Sequence, residues 1–288
     1  MCADCEAEIL ADKESESERK SFSLALVFAI VSTGAAANAA APSMLHQFRV
    51  QQNSWLTTPD LGVSKIVFIC IMIGIWRASS GLHGPARPWH VFLLLPAAIG
   101  TLGVSGNSAW AGLALSAIAF LAVFSQPSGT RCGLWIILLG ALHGPGTSLL
   151  GQMAGGNLLA IDQFVTVSIL SLFETITPVR GNVIQTAGGD AILLVWECGV
   201  LKNIALVLLL WLTMLQLLIG PEYRAPLSDA VLLVGVCVAI NTVRLSLMAI
   251  TADWFDLFHD GAGATTLRLL LLSTPVALAW SKANHARA

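Results

Sequence analysis

Eight stretches of this chain are long and apolar enough to be read as helices crossing a lipid bilayer: residues 22–41, 61–76, 89–104, 108–124, 133–151, 191–219, 230–250 and 265–280. A helix rises about 1.5 Å per residue, so about 20 apolar residues cover the hydrocarbon core, and about 17 to 25 are tolerated. Several of the stretches sit at the short end, whereas 191–219 is long enough to tilt or protrude. The third and fourth are separated only by Ser105, Gly106 and Asn107, which predicts a tight helical hairpin. In lipid every backbone polar group must be bonded within the protein. The pattern therefore predicts an all-α polytopic membrane fold.

Composition points the same way. Charged residues make up 11% of the 288 and apolar residues 56%, against about a quarter charged in a typical soluble domain. Fifteen basic and seventeen acidic side chains cannot cover a water-soluble globule of this length. So apolar a chain is not intrinsically disordered, and a net charge of -2 lacks the basic excess of a nucleic-acid binder.

The charges are unevenly spread. Asp4, Glu6, Glu8, Asp12, Glu14, Glu16 and Glu18 crowd the first eighteen residues, offset there only by Lys13. Residues 1–21 therefore read as an acidic cytoplasmic tail and 22–288 as one integral membrane domain. Cys2 and Cys5 in that tail form a lone CxxC with no second ligand pair nearby, which does not make a metal site. The other cysteines stand singly, mostly in apolar runs, and suggest no disulfide framework.

Basic residues flank the cytoplasmic ends of membrane helices. Arg19 and Lys20 precede the first stretch, so the N-terminus is expected inside. Alternation then puts Arg77, Arg87, Arg131, Arg224, Lys282 and Arg287 on the same side, with both termini cytoplasmic. Arg49, Lys65 and Arg180 fall outside, while Lys202, Arg244 and Arg268 fall within stretches, toward their outer ends. The first stretch has a rival reading, because Arg19-Lys20, an apolar run and an alanine-rich end at 35–41 resemble a secretory signal. Its long acidic n-region is atypical, and we take it as a retained helix; cleavage would leave seven spans in the same orientation. The polar-leaning connection 152–190 is expected outside, with 158–173 forming an interfacial or re-entrant helix.

Ionisable side chains within a span are costly and point to function unless a structural partner explains them. Near the outer end of the sixth stretch stand Glu197, Cys198 and Lys202; near that of the seventh, Asn241 and Arg244; and in the turn before the eighth, Phe258, His259 and Gly263. Read as continuous helices, the chain places Cys198 roughly 10 Å and Arg244 roughly 9 Å below the outer boundary. His259 sits just outside. Singly, a cysteine in an apolar helix is a small hydrophobe, as Cys70, Cys132 and Cys237 are expected to be. A histidine in a turn is ordinarily solvated, and Glu197 offers Arg244 a partner. Matching depth in three consecutive elements favours the functional reading.

Cys198, then Asn241 with Arg244 on the next span, then Phe258-His259 with Gly263 before the last, resembles the exosortase/archaeosortase family. Those are polytopic membrane cysteine peptidases that process C-terminal sorting signals such as PEP-CTERM. Residues 181–184, Gly-Asn-Val-Ile, are also similar to the family's approach to its site. The resemblance covers roughly 178–266, within an active-site half at 178–280. The family commonly reads Cys-Ser-Gly, whereas this chain reads Cys198-Gly199-Val200.

The resemblance implies a cysteine transpeptidase at the outer face of a prokaryotic inner membrane. Its substrates are secreted proteins bearing a short motif, an apolar helix and a basic tail, reached through membrane lipid and passed to an unidentified acceptor. Cys198 is the expected nucleophile, His259 the proton carrier and Arg244 the oxyanion or carboxylate partner. Asn241, Glu197, Lys202, Gly263 and Arg268 are supporting residues. Lys202, four residues after Cys198, is expected on the same helix face. No phosphate loop, zinc spacing or nucleotide fingerprint occurs, so neither cofactor, metal nor nucleic acid is implied. The alternative is a non-enzymatic permease or exopolysaccharide-export component whose buried cations bind an anionic substrate.

Overall fold

The computed structural model describes residues 23–50, 63–82, 88–102, 106–123, 128–143, 147–172, 177–179, 183–185, 191–194, 199–220, 223, 225–259 and 261–287. The described residues are predominantly helical, at 89%. The acidic tail lies outside the described residues.

Helices α1 (Leu24–Val50), α2 (Val63–Ser80), α3 (Pro88–Leu102), α4 (Gly106–Val123) and α5 (Ser128–Ala141) gather around one apolar core. Phe28 and Phe120 meet there edge to face at 5.1 Å. Small residues set how closely these helices approach. A Cβ on Gly133 of α5 would lie 2.5 Å from the backbone nitrogen of Ala78 in α2, so only glycine fits. Asn38 of α1 adds polar contacts, donating from Nδ2 to the carbonyls of Gly100 and Thr101 at 3.1 and 3.2 Å. The expected hairpin is present as α3 and α4, which pack along their lengths.

Two expected stretches are divided differently. The fifth, 133–151, is shared between α5 and a separate helix α6 (Thr147–Leu170). Between Ala141, which ends α5, and Thr147, which opens α6, the sequence carries Gly144-Pro145-Gly146, residue types that withdraw helical support. Much of the expected external connection is thus helix α6, followed by a small antiparallel sheet. Its strands β1 (Thr177–Val179), β2 (Val183–Gln185) and β3 (Ala191–Leu193) run in the order β1-β2-β3. Val183 of β2 faces Val179 on one side and Leu193 on the other. The sixth stretch, read as a helix from 191, therefore opens as a strand, and helix α7 (Val200–Leu218) begins nine residues later.

Helices α8 (Leu227–Met248), α9 (Ala252–His259) and α10 (Ala262–Arg287) complete the chain. A second core forms where Val207, Trp211 and Leu215 of α7 meet Leu233 and Cys237 of α8 and Leu271 and Ala279 of α10. At one end of this bundle Arg77 donates from Nη2 to the Gln216 carbonyl at 2.9 Å, and Lys282 pairs with Asp229 at 3.0 Å. These contacts join the helix ends that charge alternation assigns to a single side.

Among the described residues two segments are long and apolar enough to cross a membrane: Leu227–Met248, of mean hydropathy 2.1, and the run Asp253–Ala286, of mean hydropathy 1.4. Shorter apolar helices accompany them at Leu24–Ala40, Ile66–Ser80, Trp89–Leu102, Ser108–Val123, Leu159–Leu170 and Asn203–Leu218. Large apolar side chains face outward, among them Phe92 at 73%, Val231 at 63% and Leu269 at 63% exposure.

Candidate active site

Arg244 lies near the end of α8, one turn after Asn241 on the same face. Asn241 is buried and Arg244 half-buried, whereas Val243 between them is exposed. The guanidinium reaches across to α9. Its Nε donates to the Phe258 carbonyl at 3.0 Å and its Nη2 to the His259 carbonyl at 3.3 Å. These are the last carbonyls of α9, which no intrahelical N–H can reach, and a cation there also meets the negative end of the helix dipole. The sequence "N-x-x-R, then F-H" thus becomes one physical unit: a fixed charge on α8 holding the residue pair that ends α9.

His259 is half-buried, its imidazole stacked on the ring of Phe255 one turn earlier at 4.8 Å with an interplanar angle of 13°. Phe258 in turn stacks on Trp254 at 5.6 Å. Gly263, in the first turn of α10, packs against Phe258: a Cβ there would come within 2.6 Å of the ring. This gives Gly263 a steric role, since it lets α10 start directly beneath the segment bearing His259. Arg268 stands on the exposed side of α10.

Cys198 and Glu197 lie outside the described residues, as do Gly181 and Asn182, and the Lys202 side chain is not described either. The nearest described residues on either side of Cys198 are Leu194 and Gly199. Leu194, just after β3, is buried in a third apolar cluster with Leu170 of α6, Ile184 of β2 and Leu245, Met248 and Ala249 around the end of α8. Phe255 and Phe258 of α9 pack on the same cluster. On the other side Gly199 is the N-cap of α7, with extended backbone and no side chain to cap with. Two sequence expectations therefore change. Because α7 begins at Val200, Cys198 precedes the helix, so the depth of roughly 10 Å derived from helical rise does not apply. For the same reason Lys202 and Cys198 do not share a helix face.

Sequence reading missed Asp162 as a site residue. Midway along α6, it accepts the Val200 N–H on Oδ2 at 3.0 Å and so supplies the cap that Gly199 lacks. Next to it, Gln163 donates from Nε2 to the Val183 carbonyl at 2.9 Å. The available signal was negative: an apolar helix opening on glycine, with no acid in its first turn, needs a cap from elsewhere. Cys70 and Cys237 are buried within the apolar cores and Cys132 is half-buried, as inert packing residues would be. Among the described residues no group of three His, Cys, Asp or Glu side chains gathers to hold a metal.

The fold and site together define a predominantly helical protein whose Arg244–His259 unit stands over one end of a helix bundle. Comparison with known proteins gave no matching family model, no matching curated protein and no matching solved structure.

Proposed function

We propose that this chain is a multi-pass membrane cysteine transpeptidase of the exosortase type. It cleaves a C-terminal sorting signal from secreted proteins at the outer face of a prokaryotic inner membrane. The observation that carries the reading is the pairing of Arg244 with the carbonyl of His259, fifteen residues apart in sequence and joined across two helices. Those bonds hold the backbone that carries the imidazole. The outward-facing apolar side chains and low charge support a lipid surround for the eight-span arrangement.

In this mechanism the substrate's apolar helix enters from the lipid, presenting the scissile peptide beside Cys198. The thiol proton passes to His259, and the thiolate attacks the carbonyl. An apolar setting alone disfavours a thiolate. The positive end of the α7 dipole, starting two residues after Cys198, and the Arg244 guanidinium both counter that penalty. Arg244 stabilises the oxyanion while its grip on α9 keeps the imidazole in place. His259 then protonates the leaving amine, the C–N bond breaks and a Cys198 thioester remains. An acceptor nucleophile attacks the thioester, loses its proton to His259 and releases the Cys198 thiolate. The test is a tagged substrate carrying motif, apolar helix and basic tail, coexpressed with wild type or with Cys198→Ala. Processing is expected only with wild type.

A further inference from the structure

Consecutive residues of α6 bond the elements on either side of residues 194–199: Asp162 holds the start of α7, and Gln163 holds β2, the strand paired with β3. At the far end, Asp162 accepts the N–H of Val200, the first residue of α7. At the near end, Gln163 donates to the carbonyl of Val183, the β2 residue that faces Leu193, the last residue of β3. Neither tie is local in sequence: Asp162 lies 38 residues from Val200 and Gln163 lies 20 from Val183. Leu194 is meanwhile buried against Leu170, two turns further along α6.

We propose that Asp162 and Gln163 are positioning residues, a two-pronged clamp by which α6 fixes the start of α7 and the β2–β3 pair, the elements that precede and follow Cys198 in the chain. The inference rests on the peptidase reading for its functional consequence, though not for its structural one. Gly199 makes the clamp necessary. Glycine leaves the start of α7 without a side-chain cap and gives the backbone beside the nucleophile its widest freedom. A carboxylate from another helix removes that freedom at one fixed point. A charged acceptor also bonds a backbone N–H more strongly than a neutral one does.

The test uses full-length protein with Cys198 as its sole cysteine, reconstituted in bilayers, comparing wild type with Asp162→Ala, Asp162→Asn and Gln163→Ala. Two quantities are read: the alkylation rate of Cys198 by iodoacetamide as a function of pH, and the kcat and KM for a tagged sorting-signal substrate. Asp162→Ala is expected to change the alkylation rate at least about threefold and to lower kcat about tenfold with KM little changed, because misplacing a reacting group acts on kcat. Asp162→Asn, whose amide oxygen still accepts from Val200, is expected to recover kcat to within about threefold of wild type. Gln163→Ala is expected to shift alkylation in the same direction as Asp162→Ala. It carries the comparison should Asp162→Ala fail to accumulate. Wild-type alkylation in both alanine variants would overturn the clamp, as would an Asn variant no better than Ala. Processing that survives Cys198→Ala would instead sink the peptidase reading, and the alkylation rates would still report on the clamp.

Discussion

Arg244 donates to the carbonyl oxygen of His259 at 3.3 Å, and through its Nε to that of Phe258 at 3.0 Å. The guanidinium is thus committed to the backbone that carries the imidazole, which distinguishes its task from that of a diffuse positive field. An ammonium is a point charge without the planar fork that spans two carbonyls. Arg244→Lys is therefore expected to lower substrate processing by about tenfold or more, and to weaken the end of α9 by about 1–3 kcal/mol as charge-assisted bonds are lost. Processing rate and amide hydrogen exchange across 252–259 measure the two effects. Near-normal turnover with unchanged exchange would refute the positioning role.

Glycine positions give a paired prediction. At Gly263 an added methyl would collide with the Phe258 ring, whereas at Gly235 in α8 nothing lies within 4 Å. Gly263→Ala is expected to displace the His259 segment at a cost of about 1–3 kcal/mol and to depress activity. Gly235→Ala should leave activity intact and stabilise its helix by up to about 1 kcal/mol. Thermal unfolding in detergent, together with substrate processing, separates the two. Equal behaviour of the variants would contradict the close packing of α10 on α9.

The nearness of Arg244 to the end of α9 was legible in the sequence, because a cation in an apolar run requires an explanation and the Phe258-His259 pair follows it closely. Asn241 and Gly263 were singled out by the resemblance to the family's motifs. The steric reason for Gly263 was not legible, because the ring it accommodates is five residues away across a helix boundary. Residues 191–194 read as helix because a short apolar run fits a buried strand equally well, and a continuous hydrophobic stretch hid the change of backbone. The glycine-proline-glycine signal at 144–146, between α5 and α6, was visible in the sequence, but the surrounding hydropathy outweighed it. Asp162 could not be assigned at all. Its partner is a backbone N–H on another helix, and no side-chain pattern marks such an acceptor.

The two ends of the bundle should differ in access. Asp256 is exposed on α9, near the Arg244–His259 unit, while Lys282 pairs with Asp229 at the opposite end. Single cysteines placed at Asp256 and at Lys282, in a background without the native cysteines, are expected to respond oppositely to a membrane-impermeant thiol reagent on intact spheroplasts. Asp256→Cys should be labelled and Lys282→Cys spared until the membrane is opened. The reverse pattern would put the site in the cytoplasm, out of reach of secreted substrates.

Covalent capture at Cys198 tests the central claim most directly. Reconstituted protein is mixed with a substrate carrying the motif, apolar helix and basic tail, quenched in acid and analysed by intact mass and peptide mapping. The thioester mechanism predicts an adduct on Cys198 equal to the N-terminal substrate fragment, removed by hydroxylamine and absent from Cys198→Ala. Substrate cleavage by wild type and Cys198→Ala alike, with no adduct on Cys198 in the wild type, would contradict it.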